Sequence, residues 1–458
     1  MIATLAATGL IAAFMQTVVT PIIPELPTLL DTTRADASWV LTSTLLAAAI
    51  STPISGRLGD MYGKRRIMLA LLIVMAAGCV IAALSNSLVP MVVGRVLQGV
   101  GLGTIALGIS ILRDVIHPKN LGGAVALVSA TLGVGGALGL PLAATIAQYL
   151  DWHFLFWLAA ALSLVAIIAV VLVIPVSTLR TGGTFDVVGA LGLAVGLIGI
   201  LLATSKGTEW GWTSPLTLGL LLGGLAVLVA WGFFELRTAN PLVDLRVASR
   251  RTVLLTNLAS IAIGFAFFVC TASLPIVLES PVGAGVGLGL PLILASLCLM
   301  PLGLVMFLLS PAAARLSATR GPRTSLILGA IIITVGFALA VPFLDQVWHV
   351  ILVSTITGIG VGFAYAAMPT LIMRAVPPTE TAAANGLNSV MRTLGSTISA
   401  TAVGIILSTH VVDGAPTREA FHYVFIMGAA VVLVGVVIAL FIPRKLTNYD
   451  TSSIPVQN

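Results

Sequence analysis

Long apolar runs recur along nearly the whole chain and restrict what it can fold into. Of its 458 residues, 58% are hydrophobic and only 8% are charged, which is too little polar surface for a water-soluble globule. A helix that crosses a hydrocarbon core of about 30 Å needs roughly 20 apolar residues. Because that layer offers no water, backbone groups must bond within helices or closed barrels. The sequence therefore predicts an all-α membrane protein with about 14 spans.

Basic residues predict how these spans are oriented, because Lys and Arg beside a span are retained in the cytoplasm. With the amino terminus inside, the outer loops keep only Arg34, Lys206 and Arg418, and Arg95 and Arg392 lie within spans. All other basic residues then face the cytoplasm. We predict an inner (plasma) membrane protein with both termini cytoplasmic and with spans at 3–23, 38–56, 67–85, 89–112, 122–149, 154–174, 187–204, 215–235, 253–278, 287–311, 324–343, 349–373, 383–409 and 421–442.

Composition also argues against several classes of protein. The formal charge of +6 comes from short loops and forms no basic stripe with interleaved aromatic residues, so nucleic-acid binding is not expected. Cys79, Cys270 and Cys298 lie inside apolar runs without metal-ligand spacing, which predicts reduced packing residues. No loop is long enough to house a catalytic site. We expect no enzyme activity, cofactor or metal, and a monomer in the lipid bilayer that handles a small molecule.

Met1 stands directly against the first apolar run. A signal peptide would show a charged segment before that run and a cleavage site after it. We expect instead that the natural chain begins upstream with a short basic tail, and intact-mass measurement in native cells would check this.

The densest charge cluster lies between the second and third runs. It reads Gly56-Arg57-Leu58-Gly59-Asp60-Met61-Tyr62-Gly63-Lys64-Arg65-Arg66. Its glycines predict a tight helical hairpin, because glycine ends helices, permits positive φ and lets backbones approach closely. The plain alternative is a cluster that only sets topology. The residue order, however, resembles the loop between helices 2 and 3 of the major facilitator superfamily.

That resemblance implies a gate that latches the inner ends of two helical bundles in the outward-open state. Asp60 is expected near the helix amino terminus around Ala382, where the helix dipole stabilises a carboxylate. The gating residues implied are Gly56, Asp60, Gly63, Arg57, Lys64 and Arg65.

An internal repeat predicts two related halves. Ala314–Arg323 repeats the pattern of the charged loop 258 positions later, with Ala318 in place of Asp60. Between the halves, Phe185–Gly189 and Asn240–Arg246 resemble the inserted helices of the 14-helix drug/proton antiporter family. The resemblance implies a major facilitator fold of two six-helix bundles plus two linker helices. We predict bundles at 1–175 and 251–445, a linker at 176–250 and a cytoplasmic tail at 446–458.

Two further motifs resemble those of the superfamily. Arg95 and Gln98 in the fourth span resemble a motif implicated in proton coupling, to which we add Arg392 in the thirteenth span; an arginine that only ties helices together through carbonyls is the alternative. Gly135, Gly139 and Pro141 resemble the exporter motif of the fifth span. The match is imperfect at Ala143 and Ala144, where the family has a glycine pair.

The first span departs from the family pattern at the position of its acidic residue. Met15 occupies that position, and no Asp or Glu lies near the middle of any span. Proton coupling would then run through Glu25, Asp114 or His410, or be absent. We expect a cavity that favours neutral or anionic amphiphiles. Its candidate residues, for each of which ordinary packing is the alternative, are Gln16, Thr17, Asn257, Phe267, Phe268, Tyr365, Met368 and Asn388.

The function predicted is proton-coupled efflux of hydrophobic or amphipathic small molecules by alternating access. The missing first-span carboxylate keeps a second reading open, an uncoupled facilitator or importer of the same fold. A receptor or scaffold without transport activity is the third.

Overall fold

A computed structural model describes residues 1–23, 25–176, 182–282, 286–412 and 415–444. Within these residues, 14 helices are long and apolar enough to cross a membrane. We label them in chain order as α1 Ile2–Thr17, α2 Trp39–Tyr62, α3 Lys64–Ala83, α4 Leu88–Val115, α5 Pro118–Tyr149, α6 His153–Val173, α7 Val187–Trp210, α8 Pro215–Arg237, α9 Arg251–Glu279, α10 Leu292–Thr319, α11 Pro322–Ala340, α12 Val347–Ala375, α13 Thr381–Thr409 and α14 Arg418–Leu440. The predicted number of spans and the all-α fold class are confirmed.

Some spans are built from more than one helical piece. A 3₁₀ turn at Thr20–Ile22 extends α1 and another at Pro378–Glu380 precedes α13. The span α4 consists of Leu88–Gly101 and Thr104–Val115, and α10 of Leu292–Leu308 and Ser310–Thr319. The break in α10 precedes Pro311, which lacks the N–H that a continuous helix needs. Shorter elements are the helices Leu26–Leu29, Arg34–Ala37 and Leu245–Ala248 and the antiparallel two-residue strands Val411–Val412 and Ala415–Pro416.

The charged hairpin between α2 and α3 is tighter than predicted. The helix does not end near residue 56 but continues to Tyr62, and Gly63 alone makes the turn with a φ of 106°. Gly56 and Gly59 lie inside α2, where they permit close packing. A Cβ on Gly56 would lie 2.6 Å from the Ala382 carbonyl oxygen, and one on Gly59 would collide with Leu107.

Two other predicted boundaries are wrong. Lys206, placed in an outer loop, lies in the last turns of α7 with 2% of its surface exposed. Its long side chain is neutralised within the protein, as described below, and so the helix extends past the apolar run. The span α10 begins at Leu292 rather than 287, because Gly289 has a φ of 65° and Pro291 occupies the N-cap.

Each half of the molecule has its own hydrophobic core. One is built mainly from α1–α6, with Met373 and Ala382 of the second half at its edge, and the other from α9–α14. The halves meet where α2 packs on α13 and where α5 packs on α10. At the second contact the backbones of Gly133 and Gly303 approach so closely that a Cβ on Gly303 would collide with the Gly133 carbonyl. The fold is thus two six-helix bundles joined by an inserted pair.

The inserted pair packs on one side of this junction. The helix α7 contacts both α2 and α13 through a small apolar cluster that includes Ala49, Leu197, Val243 and Val390. The helix α8 packs mainly on α7, and only 11% of its most apolar stretch of 18 residues is buried in the protein. Its surface is therefore suited to lipid. The exact domain limits at 175, 250 and 445 stay proposals, and the tail 446–458 lies outside the described residues.

Candidate transport gate and cavity

Asp60 joins the two halves at the amino terminus of α13. Its Oδ2 accepts a hydrogen bond from the Ala383 N–H at 3.0 Å, and its Oδ1 accepts a longer one from the Ala382 N–H at 3.4 Å. The residue is 1% exposed. The first N–H groups of a helix have no partner within it, and the helix dipole favours an anion there. The carboxylate therefore holds α2 against α13, at the place the sequence motif predicts.

Lys64 neutralises Asp60 from within the same bundle. Its Nζ lies 2.8 Å from both carboxylate oxygens of Asp114 and 3.8 Å from Asp60 Oδ1. The three buried charges link α2, α3 and α4. Asp114, considered in the sequence only as a coupling candidate, is thus part of the gate. Lys64 thus supplies a cation to the carboxylate of Asp60, whose oxygens face the other half.

Arg113 makes a contact between the halves that the sequence motifs did not identify, which makes it a further candidate gate residue. Its guanidinium donates to the Val376 carbonyl at 3.1 Å, the Pro377 carbonyl at 3.3 Å and Thr381 Oγ1 at 2.6 Å. It therefore ties α4 of the first half to the segment that enters α13 of the second. The internal repeat offered a signal that this arginine matters, since Leu112-Arg113 of the first half recurs as Met373-Arg374 in the second.

The other two predicted gating cations, Arg65 and Arg57, have different surroundings. Arg65 donates to the Val171 carbonyl at 2.6 Å, so it links α3 to α6 inside one bundle. Arg57 is 7% exposed and its Nε has no hydrogen-bond partner. It lines a cavity of about 150 Å³ beside the gate, together with Asp244 and Glu380.

Arg95 is tied to carbonyl groups. It is fully buried, and it donates to the Val40 carbonyl, the Met15 carbonyl and Gln98 Oε1 at 3.1, 3.1 and 2.6 Å. These contacts join α1, α2 and α4, which matches the alternative of a helix-tying arginine. Met15 itself is buried beside Cys79, 3.6 Å from its sulfur. A coupling role for Arg95 and Gln98 stays a prediction.

The glycine motif of α5 sits between two neighbours. A Cβ on Gly135 would collide with Ala13 of α1, and one on Gly139 would lie 2.5 Å from Thr17 Oγ1. On the other face, Gly133 approaches α10. Pro141 lies inside α5, where its carbonyl accepts a 2.7 Å hydrogen bond from Thr145. The motif therefore allows α5 to pack closely against α1 and α10.

A cation and two aromatic rings form a cluster in the second half. The Arg392 guanidinium lies 4.7 Å from the centre of the Tyr365 ring, whose centre lies 5.9 Å from that of Phe267. Arg392 also donates to Ser389 Oγ at 2.9 Å. Arg392, Phe267 and Phe268 are half-buried. This is the arrangement that can accept an anionic group beside an apolar one.

Other predicted cavity residues divide into two groups. Gln16 is exposed and Thr17 half-buried on α1. By contrast, Asn388 donates to Asn257 Oδ1 at 3.0 Å and to Ser260 Oγ at 2.7 Å, and Ser260 contacts Met368 Sδ at 2.8 Å. All four of these residues are buried between α9, α12 and α13. The amides of Asn257 and Asn388 bond to each other, and a cavity role for these two residues and for Met368 stays a prediction.

The remaining coupling candidates lie away from the cluster around Arg392. Glu25 is exposed after the 3₁₀ turn of α1. His410 follows α13, with its Nδ1 3.2 Å from the Ile406 carbonyl and 3.0 Å from Thr409 Oγ1. Neither contacts Arg95 or Arg392 among the described contacts.

Two six-helix bundles that meet at a charged contact make this an integral membrane protein of the two-bundle type. The sequence profile of the Major Facilitator Superfamily matches residues 5–400 and 303–454. The chain belongs to this superfamily and is an integral membrane protein.

Individual proteins show the same relationship. The chain is 27% identical over 445 residues to the putative multidrug resistance protein MdtD of Salmonella paratyphi A, covering 94% of this chain and 93% of that protein. It is 29% identical over 277 residues to an uncharacterized MFS-type transporter of Mycobacterium tuberculosis, which is 60% of this chain but only 40% of that relative's length. The structure of the human organic anion transporter MFSD10 shares the fold, with a TM-score of 0.68 at 14% identity over 96% of this chain and 98% of that chain.

Proposed function

We propose that the protein is a secondary exporter of amphipathic small molecules, neutral or anionic, in the plasma membrane. The gate supports this proposal most directly. Asp60 and Arg113 hold the two halves together at one end of the bundle through polar contacts, and Lys64 and Asp114 support Asp60 from within the first half. Such contacts are exchanged rather than deformed when two packed halves rock against each other. A central site then faces each side of the membrane in turn.

The orientation of the gate in the membrane is inferred from the charge of the hairpin. The charged hairpin is rich in Lys and Arg, which predicts that this end and both termini are cytoplasmic. The conformation described here would then be closed towards the cytoplasm. The closely packed glycines of α5 and the name of the Salmonella relative, a putative multidrug resistance protein, support export.

The charge of the substrate is inferred from Arg392. A cation inside a span is costly unless it faces a partner or a cavity, and the partners of Arg392 are a ring and a hydroxyl rather than a carboxylate. A bound anion would complete its coordination. Lipophilic cations would meet no opposing charge in the middle of the spans, since no Asp or Glu lies there.

An uncoupled facilitator or importer is the second candidate, favoured by Met15 at the acidic position of the first span.

Transport into proteoliposomes with and without an imposed proton gradient distinguishes the proton-coupled exporter from the uncoupled facilitator. For the exporter, we expect an anionic fluorescent amphiphile to be transported faster with the gradient than without it. Equal rates in both conditions would favour the facilitator, and faster transport of ethidium than of the anion would contradict the proposed substrate class.

A further inference from the structure

Two carboxylates converge in the inserted pair, outside the gate and the central cluster. Asp186 caps the amino terminus of α7, where its Oδ1 accepts a 2.7 Å hydrogen bond from the Gly189 N–H. Glu235 lies in the last turn of α8. A Cβ on Gly189 would collide with both Asp186 Oδ2 and Glu235 Oε1. The two oxygens therefore face the same small space, which the absence of a side chain at Gly189 leaves open.

The oxygens that face this space have no partner. Glu235 is 2% exposed, and its Oε1 and Oε2, like Asp186 Oδ2, are buried without a hydrogen bond. The backbone N–H groups of Leu242 and Val243 and the indole of Trp231 approach Glu235, but the indole nitrogen is itself without an aligned acceptor. An unpaired buried carboxylate is costly.

No cation balances the pair within the part of the chain that the structure describes. Neither carboxylate belongs to any of the ion pairs found there. Arg246 is bonded to the Leu236 carbonyl at 2.8 Å. The other charged groups on the elements packed around this end of the pair are Arg237, Asp244, Arg57, Asp60 and Glu380.

We propose that Asp186 and Glu235 form a proton-binding site. One proton resides on Glu235 and is shared with Asp186 Oδ2, while Asp186 keeps its negative charge at the amino terminus of α7. Two neighbouring buried carboxylates do not both ionise readily, so the pair takes up one proton from solvent. The helix dipole and the Gly189 N–H stabilise the charge on Asp186 rather than on Glu235. The shared O–H then gives a partner to oxygens that otherwise have none.

The site is placed where its charge state affects packing at the gate. Leu242 and Val243, which follow Glu235, are buried in the cluster that holds α7 against α2 and α13. Loss of the proton would place a second negative charge beneath this cluster. The proton site does not depend on the transport direction or substrate proposed above.

Infrared difference spectroscopy on the purified full chain in lipid nanodiscs tests the site. We expect a carbonyl band of a protonated carboxyl that persists at neutral pH in the wild type and is lost in Glu235→Gln. In Asp186→Asn the band should titrate at lower pH, because the neighbouring charge is gone. The matched control Glu419→Gln, at an exposed position, should leave the band unchanged.

Two results would overturn the proposal. One is a wild-type spectrum at neutral pH identical to that of Glu235→Gln, which would mean that both carboxylates are ionised. The other, useful if Glu235→Gln does not fold, is a band whose titration is the same in the wild type and in Asp186→Asn. Because the readout is spectroscopic, either failure leaves the transport proposal standing.

Discussion

Arg65 and Arg323 make the same contact in the two halves of the molecule, 258 positions apart. Arg65 donates to the Val171 carbonyl at 2.6 Å, and Arg323 donates to the Leu440 carbonyl at 2.5 Å and the Ala439 carbonyl at 3.3 Å. In each half, an arginine in the first turn of the third helix caps the end of the sixth. The preceding glycines, Gly63 and Gly321, both have positive φ, at 106° and 87°. The internal repeat is thus present in the contacts of the folded protein as well as in its amino-acid sequence.

Asp60→Asn should impair transport while leaving the protein folded. The amide keeps the shape but loses the charge at the amino terminus of α13, an interaction worth about 0.3–2 kcal/mol. Transport rate in proteoliposomes and thermal unfolding would be measured together. Asp345→Asn is the matched control, because Asp345 forms an exposed pair with Arg418, and it should transport normally. Wild-type rates for Asp60→Asn would remove the gate from the mechanism.

Arg113→Ala should open the gate end, because three contacts to the second half are lost at once. The measurement is the labelling rate of a cysteine placed at Ala384, beside the gate cavity, in a Cys298→Ser background. Labelling with a membrane-impermeant maleimide should be faster than in the parent. Arg65→Ala removes a contact within one bundle and should not change the labelling rate. Equal rates for both variants would show that Arg113 does not hold the gate.

Gly303→Ala should weaken the junction between α5 and α10. The added methyl collides with the Gly133 carbonyl and lies 2.5 Å from the Ala137 Cβ, and overpacking of this kind costs about 1–3 kcal/mol. We expect a lower melting temperature and reduced transport. Gly404→Ala is the control, because no atom lies within 4 Å of a Cβ there. It should be neutral or slightly stabilising, and an equal effect at both positions would contradict the packing argument.

Arg392→Ala should reduce transport of an anionic amphiphile more than that of a neutral one, because the cation beside Tyr365 is lost. Arg392→Lys keeps the charge and should retain part of the activity, although lysine stacks less well on a ring. Uptake into inverted vesicles would be measured for both probes. An equal loss for the anionic and the neutral probe would indicate a packing role only.

Features that depend on residues close together in the sequence could be predicted, whereas contacts between residues far apart in the sequence could not. The spans follow from local hydropathy, and the Gly63 turn and the Asp60 contact from a local motif. Lys206 was misplaced because its burial is partly tertiary. Its charge is paired locally with Glu209, but it also bonds to Ser38 and lies 5.1 Å from the Trp39 ring. The pairing of Asn257 with Asn388 and the reach of Arg113 to Val376 likewise join residues more than 100 positions apart. Hydropathy and spacing do not encode such contacts.

The inserted helix α7 makes the transporter unequal on its two flanks. At its far end, consecutive residues bind both halves, since Ser205 lies 3.0 Å from Thr42 Oγ1 and the Thr204 carbonyl accepts from Thr401 at 2.8 Å. The helix α7 thereby separates the junction between α2 and α13 from the surrounding lipid. On the other flank, α5 and α10 pack directly on each other. A hydrophobic compound that dissolves first in the membrane would therefore meet two different flanks, one covered by α7 and one at which α5 and α10 pack directly on each other.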